Sequence, residues 1–155
     1  MIRKLLTCGA LGAALLISGT VVADGPFEKP IKARQGMFQL ISFSSGSLGG
    51  MVKGEVEYDA VLAAELAKNL DAAANLGQSA YWPEGSDKGN SENKTRALPE
   101  IWESFSDFES KLQDLRDASA VLAAEAGNGP DALKDSMGDV GKTCKACHTD
   151  YRGKR

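Results

Sequence analysis

Histidine is almost missing from this sequence: among 155 residues, His148 is the only one. A single imidazole excludes a haem held by two histidines of one chain. Once spent on a metal, it also leaves no histidine for general-base work. Cysteine is nearly as sparse, with three in all. Cys8 lies in the amino-terminal segment, and the remaining two, Cys144 and Cys147, are too few for a disulfide framework and too close to staple a fold. Cationic charge is also outnumbered, with 18 Lys and Arg against 21 Asp and Glu and a formal net charge of −3. That balance argues against nucleic acid or an anionic membrane as the main partner. No long stretch alternates with the period of two that marks a strand.

What is present begins with an address. Met1-Ile2-Arg3-Lys4 is a short basic start, Leu5 to Val22 is apolar or small without charge, and Val21-Val22-Ala23 offers small residues to a signal peptidase. This is the three-part layout of a secretory signal peptide. The apolar run is near the lower length limit for a bilayer span, and Gly9, Gly12 and Gly19 interrupt it. Cys8 precedes most of the apolar core, which is the wrong place for a lipoprotein cysteine. The expectation is a signal peptide over 1–23 and a mature domain over 24–155, exported to the periplasm with no stable membrane anchor. Cleavage removes Arg3 and Lys4 and leaves the mature chain more acidic.

Four stretches repeat with helical spacing. The first, from about Pro26 to Met51, aligns Ile31, Arg34, Phe38, Ile41, Ser45, Leu48 and Val52. The second opens at Asp59, a good N-cap, and aligns Leu62, Leu66, Asn69, Ala73 and Leu76 before Gly77. The third follows Ser104 or Ser106 and aligns Phe108, Leu112, Leu115, Ser119, Leu122 and Ala126. The fourth has Pro130 in its first turn, where a missing N–H is harmless, and aligns Leu133, Met137, Val140, Cys144, Cys147 and Tyr151. The pattern predicts an all-α antiparallel four-helix bundle. Its long connection, 77–103, is expected to be anchored through Leu98-Pro99-Glu100-Ile101-Trp102, with Trp102 packing on the bundle.

The chemistry is concentrated in Cys144-Lys145-Ala146-Cys147-His148, the C-x-x-C-H pattern of covalent haem attachment. Each thiol adds across one haem vinyl group to form a thioether. Residues three apart share a helix face, so both sulfurs can reach one porphyrin edge. The adjacent histidine can then bind iron. A thioredoxin-type pair would need a βαβ setting, and a zinc site would need about four ligands; neither is present. With no second histidine, a sixth iron ligand would have to come from Met37, Met51 or Met137, or from a less usual group. Of these, Met37 is the serious candidate.

The mature chain resembles cytochrome c′, the class II c-type cytochromes, a four-helix-bundle family. The resemblance is carried by Arg34-Gln35, by Val52-Lys53-Gly54-Glu55-Val56-Glu57-Tyr58, by Pro99-Glu100-Ile101-Trp102, and above all by the run from Val140 to Arg152 around the haem motif. A haem motif so near the carboxyl terminus is itself distinctive. The resemblance implies one haem c per chain in a high-spin, five-coordinate state, with His148 as proximal ligand. It also implies a homodimer packed through the first two helices, binding of NO and CO, and proposed roles in NO handling and electron transfer. The redox partner is not implied.

Individual residues carry further expectations. Arg34 falls on the buried seam, and a buried arginine needs an anionic partner; a haem propionate would suit its fork, although snorkelling to the bundle edge is an alternative. Gln35 flanks the same edge. The resemblance places Phe38 on the vacant side of the iron, where leucine is common and low-spin relatives carry methionine. A phenyl ring cannot ligate; it can cap a dry distal pocket, and ordinary core packing is compatible with that. Arg152, four residues beyond His148, falls over the proximal ligand on a continued helix or else belongs to a frayed basic terminus.

Two function classes compete: a gas-binding haem protein, and an electron-transfer cytochrome with Met37 as sixth ligand. Met37 is one position, about 100° of helix rotation, off the place where low-spin relatives ligate. An enzyme is the weakest reading, because no acid–base or nucleophile–base set surrounds the motif.

Overall fold

The computed structural model describes residues 25–154. The expected signal peptide, with Cys8, and Arg155 lie outside the described residues. Four long helices form the body: α1 (Glu28–Val52), α2 (Ala60–Ala74), α4 (Phe105–Glu125) and α5 (Pro130–Tyr151), with a single helical turn, α3 (Glu100–Glu103), before α4. No helix among the described residues is long and apolar enough to cross a membrane.

The helix ends obey local rules. The Asp59 carboxylate accepts hydrogen bonds from Val61 N and Leu62 N, the N-cap geometry its sequence position predicts. Pro130 opens α5 after Gly129, whose φ of 123° suits glycine alone. Short turns make α1 and α2, and α4 and α5, antiparallel neighbours. Tyr58 ties the two turns together, its hydroxyl donating to Ala126 O at 2.9 Å and accepting from Gly129 N at 3.0 Å.

α1 packs on α2, α2 on α4, α4 on α5, and α5 on α1, closing a four-helix bundle. The α1–α5 seam is the most open. α4 buries its predicted stripe, and α5 buries Leu133, Val140 and Tyr151 while Met137, Cys144 and Cys147 are half-buried. α2 departs from its predicted stripe. Its buried residues are Ala63, Leu66, Ala67, Leu70, Ala73 and Ala74, while Leu62, Asn69 and Leu76 are exposed. α2 is apolar on several sides, so periodicity alone fixes its helicity but not its rotation. α1 buries Ile31, Arg34, Ile41 and Leu48 of its predicted stripe, but Met37, Ser44 and Met51 are buried in place of Phe38, Ser45 and Val52, which are half-buried. Phe38 instead bridges the two core clusters, one within the bundle and one around Trp82.

The connection between α2 and α4 is ordered by polar contacts and aromatic packing. It contains a 3₁₀ turn, Ser79–Tyr81. Its main anchor is Trp82, 8% exposed, whose ring meets Phe108 at 4.7 Å, Trp102 at 6.3 Å and Phe38 at 6.4 Å. Trp102 does contribute, but as an outer partner: it is half-buried and its indole N–H donates to Trp82 O.

Candidate functional site

α5 carries Cys144, Cys147 and His148 into one cavity of about 1010 Å³, which runs along α1, α4 and α5 and is closed on one side by the connection before α4. That volume is at the upper end of the range usual for small-molecule and cofactor sites. Cys144 packs against the bundle core and Cys147 against the Trp82 cluster, and both line the cavity. Both are free thiols. Burial raises the Cys144 thiol above its ordinary value; it pushes Cys147 up to about 11, opposed by the Lys111 ammonium. The His148 imidazole is held below its usual value by burial first, then by the cations of Arg152 and Arg96. It is therefore neutral at pH 7, the form with a lone pair for a metal. Two thiols one helical turn apart, an adjacent imidazole and a cavity of this size fit a covalently attached haem.

The remaining predicted residues are placed as follows. Arg34 is 2% exposed. Its Nη1 donates to Tyr81 O at 2.9 Å and Ser86 Oγ at 2.7 Å, and its Nη2 donates to Ser86 O and to Thr95 Oγ1 at 3.3 Å. Burial lowers its pKa to about 10, with Asp87 opposing, so it stays cationic at neutral pH. Both terminal nitrogens thus serve the connection, while the side chain still lines the cavity. Gln35 also lines the cavity, with its amide donating to Lys94 O at 2.7 Å. Phe38 lines it beside Ile41, Trp82 and Leu115, and Gln39, Ser42 and Ser45 of the same helix line it too. The Ser45 hydroxyl donates to Ser42 O. Arg152 is exposed, with Nη1 3.3 Å from His148 Nε2. Met37, at 3% exposure, lies in the bundle core, and no methionine is among the described residues that line the cavity.

Sequence reasoning missed several lining groups. Lys111 of α4 pairs with Asp150 at 3.2 Å and Asp107 at 3.7 Å, and the Asp150 hydrogen bond is the main reason its pKa is raised. The Tyr151 hydroxyl donates to Asp107 at 2.6 Å. These contacts lock α4 to α5 beside Cys147. A short antiparallel bridge joins Ala97 to Arg152, with Gly153 N donating to Arg96 O at 2.8 Å and Leu98 N to Tyr151 O at 3.1 Å. It pins the end of α5 to the cavity wall. Only the aromatic content of the connection could have hinted at Trp82; nothing local indicates Arg96 or Lys111.

Comparison with known proteins gives a consistent result. A family model described as Cytochrome C′ matches residues 29–152. Cytochrome c-554 from Cereibacter sphaeroides is 40% identical over 127 residues, covering 82% of this chain and 95% of that protein. A solved cytochrome c′ from Rhodobacter Spheriodes has a TM-score of 0.78 at 34% identity, covering 84% of this chain and all of that one. The nitric oxide complex of a mutant cytochrome c prime from Alcaligenes xylosoxidans has a TM-score of 0.71 at 34% identity, covering 83% and 96%.

Proposed function

Because the chain belongs to the cytochrome c′ family, we propose that it is a periplasmic mono-haem protein that binds NO and CO on the open side of a five-coordinate iron. Its cofactor is haem c with its iron. When bound, this group supplies reversible gas binding and single-electron exchange. Cys144 and Cys147 are the thioether positions, and His148 is the axial ligand.

The observation that carries the reading is the placement of two neighbouring residues of α1. Met37 is turned into the bundle core while Phe38 lines the cavity. A phenyl ring has no lone pair for iron; it fills space and excludes water. The Arg34 charge faces no carboxylate at ion-pair distance among the described residues; its terminal nitrogens are spent on Tyr81, Ser86 and Thr95, which leaves Nε–H and the cationic charge itself to favour a haem carboxylate, with Gln35 at the same edge. Arg152 sits beside the proximal ligand. The nitric oxide complex of a related cytochrome c prime supports gas binding. Leu40 and Phe43 on α1, with Val61 on α2, are large exposed apolar side chains and support a homodimer through these helices. No enzymatic activity is part of this reading; electron transfer is compatible with it.

The test is the absorption spectrum of the purified haem protein. Broad high-spin bands that shift when CO is added to the reduced form are expected. Sharp low-spin bands indifferent to CO would overturn it and favour the alternative, an electron-transfer protein with Met37 as sixth ligand.

A further inference from the structure

Beside the main cavity lies a second, solvent-open recess of about 630 Å³, lined by Arg96, His148, Thr149, Arg152, Gly153 and Lys154. His148, Arg96 and Arg152 line both spaces. A fourth cation joins the three of the recess, because a Cβ built on Gly153 would meet Lys88 Nζ at 3.3 Å. The segments bearing these charges are fastened together: Lys88 N donates to Ala97 O at 2.8 Å, and Gly153 N to Arg96 O at 2.8 Å.

Among the described residues, none of Lys88, Arg96, Arg152 and Lys154 is ion-paired with a carboxylate, whereas Lys111 and Lys142 both are. The nearest acids in sequence are engaged elsewhere. Asp87 accepts from Gly89 N, and Asp150 holds Lys111. Like charges held together repel, and here they are gathered on a chain that is acidic overall. The carbonyl end of α5 would oppose an anion, but the Tyr151 carbonyl already accepts from Leu98 N. Guanidinium forks match oxyanions in two-point geometry.

We propose that this recess binds a small inorganic oxyanion between Arg96, Arg152, Lys88 and Lys154, and that the bound anion tunes the adjacent His148 side of the site. The tuning half rests on His148 being the iron ligand; the binding half does not. A negative charge here favours the more positive, oxidised form of a neighbouring redox centre.

The probe is inorganic phosphate, titrated calorimetrically into the haem-loaded protein at ionic strength held constant with chloride. One saturable site per chain is expected, weakened at least tenfold by Arg96→Gln and severalfold by the exposed Lys88→Gln. Lys142→Gln, which removes a paired cation elsewhere on α5, should leave it unchanged. Saturation should be accompanied by a fall in reduction midpoint. Absence of saturable binding overturns the site, as does an affinity for phosphate in Arg96→Gln and Lys88→Gln that is unchanged from the native protein. Heat released only with an acidic protein, and none with phosphate, overturns it in favour of a protein-docking face. Bound phosphate with an unmoved midpoint overturns the tuning role. None of these outcomes depends on spin state, so they are separable from the gas-binding reading.

Discussion

The Arg34 guanidinium lies 4.5 Å from the centroid of the Trp82 ring. This contact joins α1 to the connection that follows α2. It combines a cation–π attraction with four hydrogen bonds to Tyr81, Ser86 and Thr95. Arg34 therefore holds the cavity wall whether or not it also meets a haem carboxylate.

Truncating Arg34 should leave Ser86 and the Tyr81 carbonyl without partners in a buried setting. Arg34→Ala is expected to lower the unfolding free energy by about 3 kcal/mol. Arg34→Lys should recover less than half, because one ammonium cannot reproduce the fork. Urea denaturation of the haem-loaded protein measures both. An unchanged midpoint for Arg34→Ala would show that the wall is held elsewhere.

Phe38 sits between the two core clusters and lines the cavity. Phe38→Ala should open the vacant side and accelerate CO association with the reduced protein by roughly tenfold or more, about 1.4 kcal/mol of barrier. Some stability, up to about 3 kcal/mol, should be lost with the ring. Flash photolysis that finds no acceleration rejects Phe38 as a gate.

Covalent attachment predicts that the pigment survives denaturation. Acid–acetone should leave the colour with the protein in the native sequence and release it to the organic layer in the Cys144→Ser, Cys147→Ser double variant. Colour extracted from the native protein would remove the thioethers and everything built on them.

The Tyr151 phenol is 6% exposed, and its pKa is raised to about 12 by burial and by its hydrogen bond to Asp107. A raised folded-state pKa means the native form holds the proton more tightly. Its stabilisation is complete below about pH 10, the unfolded tyrosine value, and is lost as pH rises towards 12. Tyr151→Phe should therefore flatten the fall in stability between pH 10 and 12, measured as the difference between the two proteins so that other groups cancel. Parallel curves would mean that the phenol titrates normally.

Several features were legible before folding because they are local. Asp59 caps α2 whatever surrounds it, since its acceptor reaches its own helix's N–H groups. Pro130 and Gly129 start α5 for equally local reasons. The stripes of α4 and α5 are narrow enough to fix which side is buried, and the haem motif lies within one turn and a half of helix.

The amino-acid sequence by itself determined four helices, their ends and a C-x-x-C-H motif, because each depends on contacts within a few residues. Only the tertiary structure decided that α2 buries its alanine side, that α1 buries Ser44 and Met51 where Ser45 and Val52 were expected, and that Trp82, Arg34 and Lys111 meet around one space. Rotation of a broadly apolar helix, and the partner of a buried charge, are set by what packs against them, and those neighbours are distant in sequence.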